Sequence, residues 1–92
     1  MKANKITLKK IRLEYLETII NNLDEKLDWQ REALVNERNE LEEAMSAPYD
    51  NDDEREVRDH NWNLEYHENE VQRLELQIKE GEKLIAELEK MV

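Results

Sequence analysis

Leu41 to Val57 reads L-E-E-A-M-S-A-P-Y-D-N-D-D-E-R-E-V, and within it one seven-residue hydrophobic repeat ends and a second begins. Backward from Leu41 in sevens come Leu34, Leu27, Ile20, Leu13 and Ile6, while the next forward step lands on Pro48. Proline has no amide hydrogen to donate and clashes with the preceding helical turn, so the first repeat stops there. Forward from Val57 in sevens come Leu64, Val71, Ile78, Ile85 and Val92. A strict period of seven predicts helices that wind left-handed around a partner, with these residues as the a positions of a heptad. The spacing places a first helix over about 7–46, a turn over about 47–52 and a second helix over about 53–91. Thr7 and either Asn51 or Asp53 are candidate N-caps. Asn51 with Glu54, or Asp53 with Glu56, has the spacing of a capping box.

Composition agrees. Ala, Glu, Lys, Leu and Arg supply 49 of the 92 residues, a share typical of long helices. Charged residues reach 41%, yet Leu, Ile and Val still number 22 and recur periodically, which argues against disorder. One domain at most fits in this length. With no cysteine there is no disulfide, no thiolate metal site and no cysteine nucleophile. No apolar run has the length of a membrane span and no segment reads as a signal peptide, so a cytoplasmic protein is expected.

Two long helices with a short connection pack antiparallel, giving an all-α fold, a coiled-coil hairpin spanning 1–92. Placing the midpoint of the pairing in the turn, with a positions facing d positions, sets the expected layers. They are Leu41 with His60, Glu37 with Leu64, Leu34 with His67, Gln30 with Val71 and Leu27 with Leu74. Leu23 with Ile78, Ile20 with Gly81, Leu16 with Ile85 and Leu13 with Leu88 continue them. Apolar residues also recur outside the seam, as Leu8, Ile11, Tyr15 and Ile19 on the first helix and Leu76, Leu84 and Met91 on the second. A lone hairpin leaves these uncovered, so the expectation is a homodimer whose open ends form a four-helix bundle.

Charge is unevenly distributed. From Glu37 to Glu70 there are thirteen acids and three bases, which accounts for the whole net charge of −10, and the rest of the chain has eleven of each. Acids at the start of the second helix, Asp52, Asp53, Glu54 and Glu56, complement a helix dipole. Glu40, Glu42 and Glu43 do not, because they fall in the last turns of the first helix where the dipole end is negative. Tyr49, Trp62 and Tyr66 sit in the same region, and exposed Trp and Tyr are frequent anchors of protein interfaces. The candidate partner-binding residues are therefore Glu40, Glu42, Glu43, Tyr49, Asp50, Asp52, Asp53, Glu54, Asp59, Trp62 and Tyr66.

Other chemistries find little support. His60 and His67 are seven residues apart on one helix, about 10 Å, too far to share a metal. Their expected role is in the seam, with Glu37 and Gln30 as polar neighbours. An EF-hand loop counted from Asp50 needs Gly and Glu where the chain has Arg55 and Asn61. With no nucleophile and base pair, and a single glycine, neither an enzyme nor a phosphate loop is expected, and no metal or cofactor. Lys2, Lys5, Lys9, Lys10 and Arg12 form a basic start, read as the rim of the dimer end, since the acidic remainder repels both nucleic acid and anionic membranes.

N-L-E-Y-H at Asn63 to His67 is similar to the N-A-E-Y-H of Gre-type transcript cleavage factors, whose N-terminal arm is an antiparallel helical hairpin with acids at its tip. The likeness covers five residues, and Trp62 stands where that family has an acid. It implies no more than what an acidic arm can do, and no site residue is carried over from it.

The function expected from these features is that of a small acidic coiled-coil regulator or inhibitor. Its acidic end would occupy the basic, nucleic-acid-binding surface of another protein, as a phage-type DNA mimic or anti-defence inhibitor does. The alternative is a structural assembly or adaptor module whose acidic half is merely solvated.

Overall fold

A computed structural model describes the backbone of residues 2–92 and the side chains from Thr7 onward. Ile6, Lys2 and Lys5, assigned above to the heptad repeat and the basic start, have side chains outside the described residues. The chain forms two helices, α1 (Lys2–Ser46) and α2 (Glu54–Glu89), joined by residues 47–53. They pack as an antiparallel hairpin, a rod of 80 × 16 × 15 Å. Thr7 is therefore interior to α1 and not its N-cap, because Lys2 to Ile6 contain neither proline nor glycine to stop the helix. At the other end α2 stops two residues short of the expected boundary.

The heptad positions are the ones that become buried. Leu27, Leu34, Val71, Leu74, Ile78 and Ile85 form the core, with Ile20, Leu23, Ala33 and Leu41 packed against it. Gln30, at a d position, is buried to 6% exposure and donates its amide Nε2–H to Gln77 Oε1 at 3.1 Å. A buried amide is tolerated when its donors are paired, and the exposed Gln77 supplies the acceptor for the buried Gln30.

The register differs from the expected one. Leu27 faces Gly81, not Leu74: a Cβ added at Gly81 would lie 2.8 Å from Leu27 Cδ2. Arg31 pairs with Glu82 at 3.4 Å and Arg38 with Glu75 at 3.1 Å, consistent with the same alignment. The helices are thus displaced by one heptad from the midpoint arrangement, which preserves a-to-d pairing and so leaves the hydrophobic pattern equally satisfied. The cause lies in residues 47–53. They do not simply close the gap between helix ends but climb alongside the first two turns of α2, where the Tyr49 ring stacks on His60 with centroids 4.0 Å apart.

One consequence of this register is an overhang. Carried toward the open end, the alignment sets Ile20 level with Leu88, so α1 runs on beyond the end of α2 by about 17 residues, roughly 25 Å. The expected layers Leu16 with Ile85 and Leu13 with Leu88 do not form. Every described side chain from Thr7 to Tyr15 is exposed, including Leu13 at 37% although it occupies an a position.

Gly81 has no room for a Cβ against Leu27 as it stands. Alanine there would gain about 1 kcal/mol of helix propensity, but the new methyl must displace the buried Leu27, and crowding of this kind costs about 1–3 kcal/mol. Gly81→Ala should therefore fail to stabilise the protein in urea unfolding followed by circular dichroism. The register itself is checked in this cysteine-free chain by paired cysteines. Leu27→Cys with Gly81→Cys should oxidise to an intramolecular disulfide, and Leu27→Cys with Leu74→Cys should leave two free thiols by mass spectrometry.

Candidate functional site

The acidic end is built by the way α1 stops and α2 starts. Ser46 Oγ donates to the carbonyls of Glu42 (3.1 Å) and Glu43 (3.2 Å) as alternative acceptors in the final turn of α1. Ala47 precedes proline and is disfavoured from helical geometry, so the chain leaves the helix there. The connection is then tied down by three carboxylates. Asp50 Oδ1 accepts from the Asp52 amide at 2.9 Å, and Glu56 Oε2 accepts from the Asp50 amide at 2.7 Å. Asp53 is the N-cap, accepting from the amides of Arg55 (2.9 Å) and Glu56 (3.4 Å). Of the two capping boxes foreseen, Asp53 with Glu56 is the nearer, except that Glu56 reaches back to Asp50 instead of to the cap itself.

These bonds divide the candidate residues. Asp50 and Asp53 are engaged in forming the loop and cap. Glu42, Glu43, Asp52, Glu54 and Asp59 are exposed, and their side chains make no hydrogen bond or ion pair among the described residues. Glu40 lies 3.7 Å from His67. No basic residue occupies the last turn of α1. The carboxylates of Glu42 and Glu43 therefore sit at the negative end of a helix dipole uncompensated, an arrangement costing roughly 0.3–1 kcal/mol for each charge. Glu40, Glu43, Asp59 and Tyr66 occupy c and g positions and so share one flank of the rod. Glu42, at a b position, faces the other flank, and Trp62, at an f position, faces away from the seam.

Trp62 is 65% exposed and stacks on Tyr66, one helical turn on, with centroids 5.6 Å apart and planes 15° apart. Tyr66 in turn meets His67 edge-on at 5.2 Å. The three rings make a continuous aromatic path from solvent to the seam. Tyr49 is spent differently: its stack with His60 holds the loop, a partner for that histidine which spacing alone did not suggest.

His67 Nδ1 lies 3.0 Å from Glu37 Oε2, so the expected layer with Leu34 is replaced by a histidine and carboxylate pair. Glu37 was anticipated as a neighbour; Gln30, the other, is engaged by Gln77 instead. With Glu40 the pair forms a trio whose ligand atoms fall within 4.8 Å of one another, a donor set that suits a divalent cation. Weighing the two histidines against each other could not reveal it, because the trio is created by the one-heptad displacement. The Glu37–His67 contact accounts for its closeness without an ion. Further along, Arg73 pairs with Glu70 at 2.6 Å, and that carboxylate pushes the guanidinium pKa further up. The pair is exposed, so its contribution to stability is small.

Among the described residues no helix is long and apolar enough to cross a membrane. No protein-family model, no curated protein and no solved structure matches the chain.

Making the His67 layer apolar isolates its contribution. Glu37→Leu with His67→Leu should raise the unfolding free energy by about 1–3 kcal/mol, as replacement of half-buried ionic groups in a packed seam commonly does. His67→Leu alone strands the Glu37 carboxylate, and should give less than half of that gain in the same urea titration.

Proposed function

We propose that this is a binding protein and not an enzyme, and that its acidic end occupies a basic surface on a nucleic-acid-binding protein. One observation carries the reading: carboxylates with no folding role are concentrated at one end of a rigid rod, some of them placed against the local helix dipole. Folding accounts for Asp50, Asp53 and Glu56 by hydrogen bonds and for Asp52 and Glu54 by the α2 dipole, but it does not account for Glu42, Glu43 and Asp59. A dense row of negative charge on a stiff support imitates a phosphate backbone, and such a surface steers fast, salt-sensitive association with a basic groove. The exposed Trp62–Tyr66 stack beside it offers the aromatic contact area that interface hot spots favour. Inhibition of a nuclease or other DNA-binding enzyme in the cytoplasm, as by a phage-type DNA mimic, is the activity such a surface would produce.

A second reading is favoured by the overhang of α1. A helix extension with exposed apolar residues suits an assembly module, in which the acidic half does no more than keep the rod dissolved.

Two measurements separate the readings. Glu40→Lys with Glu42→Lys and Glu43→Lys should abolish capture of the partner from an extract while leaving the helical circular dichroism spectrum unchanged. Undiminished capture by this triple variant would defeat the acidic-end reading. Binding through the acidic end should also weaken steeply towards roughly 0.5 M salt, where the Debye length has fallen to a few ångströms; an assembly contact would persist.

A further inference from the structure

The two flanks of the hairpin differ in kind. Along one, the e positions of the helices are linked by Arg31–Glu82 and Arg38–Glu75, the charged pairs that finish a two-stranded coiled coil. Along the other, the g positions Ile19, Ala33, Leu84 and Met91 form an apolar patch in the half nearer the open end, with Tyr15 and Trp29 beside them at c, while Lys26, Glu40, Glu70 and Gln77 occupy other g positions. Of these, Tyr15, Ile19, Trp29, Leu84 and Met91 are between 44% and 69% exposed. An open groove of about 460 Å³ continues this flank past Trp29 and Ala33 to the charged Glu37, Glu70 and Arg73. A seam finished with charge pairs on one side and bearing an exposed apolar patch on the other offers further helices a packing surface at that patch.

We propose that a second copy of this chain covers the apolar patch, packed antiparallel about a two-fold axis between Ile19 and Trp29. Three observations select this occupant. First, the apolar patch is continuous with the existing seam and, spanning Tyr15 to Ala33 or about 27 Å, lies at the centre of the overlap that this axis produces. An overlap of about 60 Å by 15 Å would bury roughly 900 Å² per partner, the size of a stable interface. Second, the charge distribution complements itself under this rotation. The overhang of α1 carries Lys9, Lys10 and Arg12 and would lie over the start of the partner's acidic half, near Glu37 and Glu70. A parallel pairing would instead set the two acidic halves side by side. Third, helices in proteins are stabilised mostly by packing of an apolar face, and this arrangement supplies the surface that the overhang of about 17 residues lacks. The four-helix bundle therefore forms along the g flank. Ile11 and Leu76, at f positions, stay outside it, and the acidic tips point to opposite poles.

The inference does not depend on what the acidic end binds. Light scattering on a sizing column should give twice the 11.2 kDa chain mass at micromolar concentration. Ile19→Lys with Leu84→Lys should weaken the dimer by at least roughly hundredfold with helicity retained, while Leu76→Lys leaves it intact. A nitroxide on Ser46→Cys reports the orientation. Pulsed dipolar spectroscopy should find the two labels about 70 Å apart across the antiparallel dimer, against less than about 30 Å for a parallel one. A monomer at hundreds of micromolar would overturn the proposal and leave the flank to a helix of another protein. A dimer indifferent to the Ile19 and Leu84 changes, or a short label distance, would overturn it equally.

Discussion

Between Ser46 and Glu54 the chain must both reverse direction and regain the height of two helical turns, and most of the remaining contacts are placed by how it does so. Seven residues in extended geometry reach about 23 Å, ample for the roughly 11 Å of two turns. Reach alone does not choose this path. The choice is made by Tyr49 stacking on His60 and by Glu56 accepting from the Asp50 amide, which hold the climbing segment against α2. From that alignment follow Leu27 against Gly81, Glu37 against His67, both interhelical arginine pairs and the length of α1 left beyond α2.

The helices were legible in the sequence because their signal is redundant. The repeated aliphatic a positions agree with one another, Pro48 terminates the first series and Asp53 caps the second. Burial of Leu27, Leu34, Val71 and Ile78 follows directly from that periodicity. The register was not legible, and the reason lies in the same periodicity. A pattern that repeats every seven residues is unchanged by a slip of seven, so hydrophobic matching assigns both registers equal merit. Only the non-repeating contacts, Tyr49 with His60 and Gln30 with Gln77, distinguish them. The acidic end was legible as composition, since charge can be counted without coordinates. Which of its carboxylates fold the loop and which stand free was not, because Asp50 and Asp52 are indistinguishable until their hydrogen bonds are traced.

Charge does different work in different parts of the rod. Near the middle, opposite charges pair across the helices on one flank and help to close it. Toward the turn, like charges accumulate at positions where a helix terminus makes them unfavourable. A globular protein could hide such a conflict in a network of compensating groups, whereas a two-helix rod has no third element to supply them. Trp62 and Tyr66 expose a large nonpolar surface among those acids on α2, and their stack leads inward to the half-buried His67.

The thinness of the rod has a consequence for communication along it. At 16 × 15 Å in section, each layer touches only the layers above and below, as in a one-dimensional lattice. No domain interface or second core connects the acidic tip to the overhang. Free-energy changes at one extremity therefore add to those at the other instead of modulating them. Within a single hairpin, a change at the acidic tip therefore leaves the open end of the same chain unbiased, and any coupling between the two must pass through another chain.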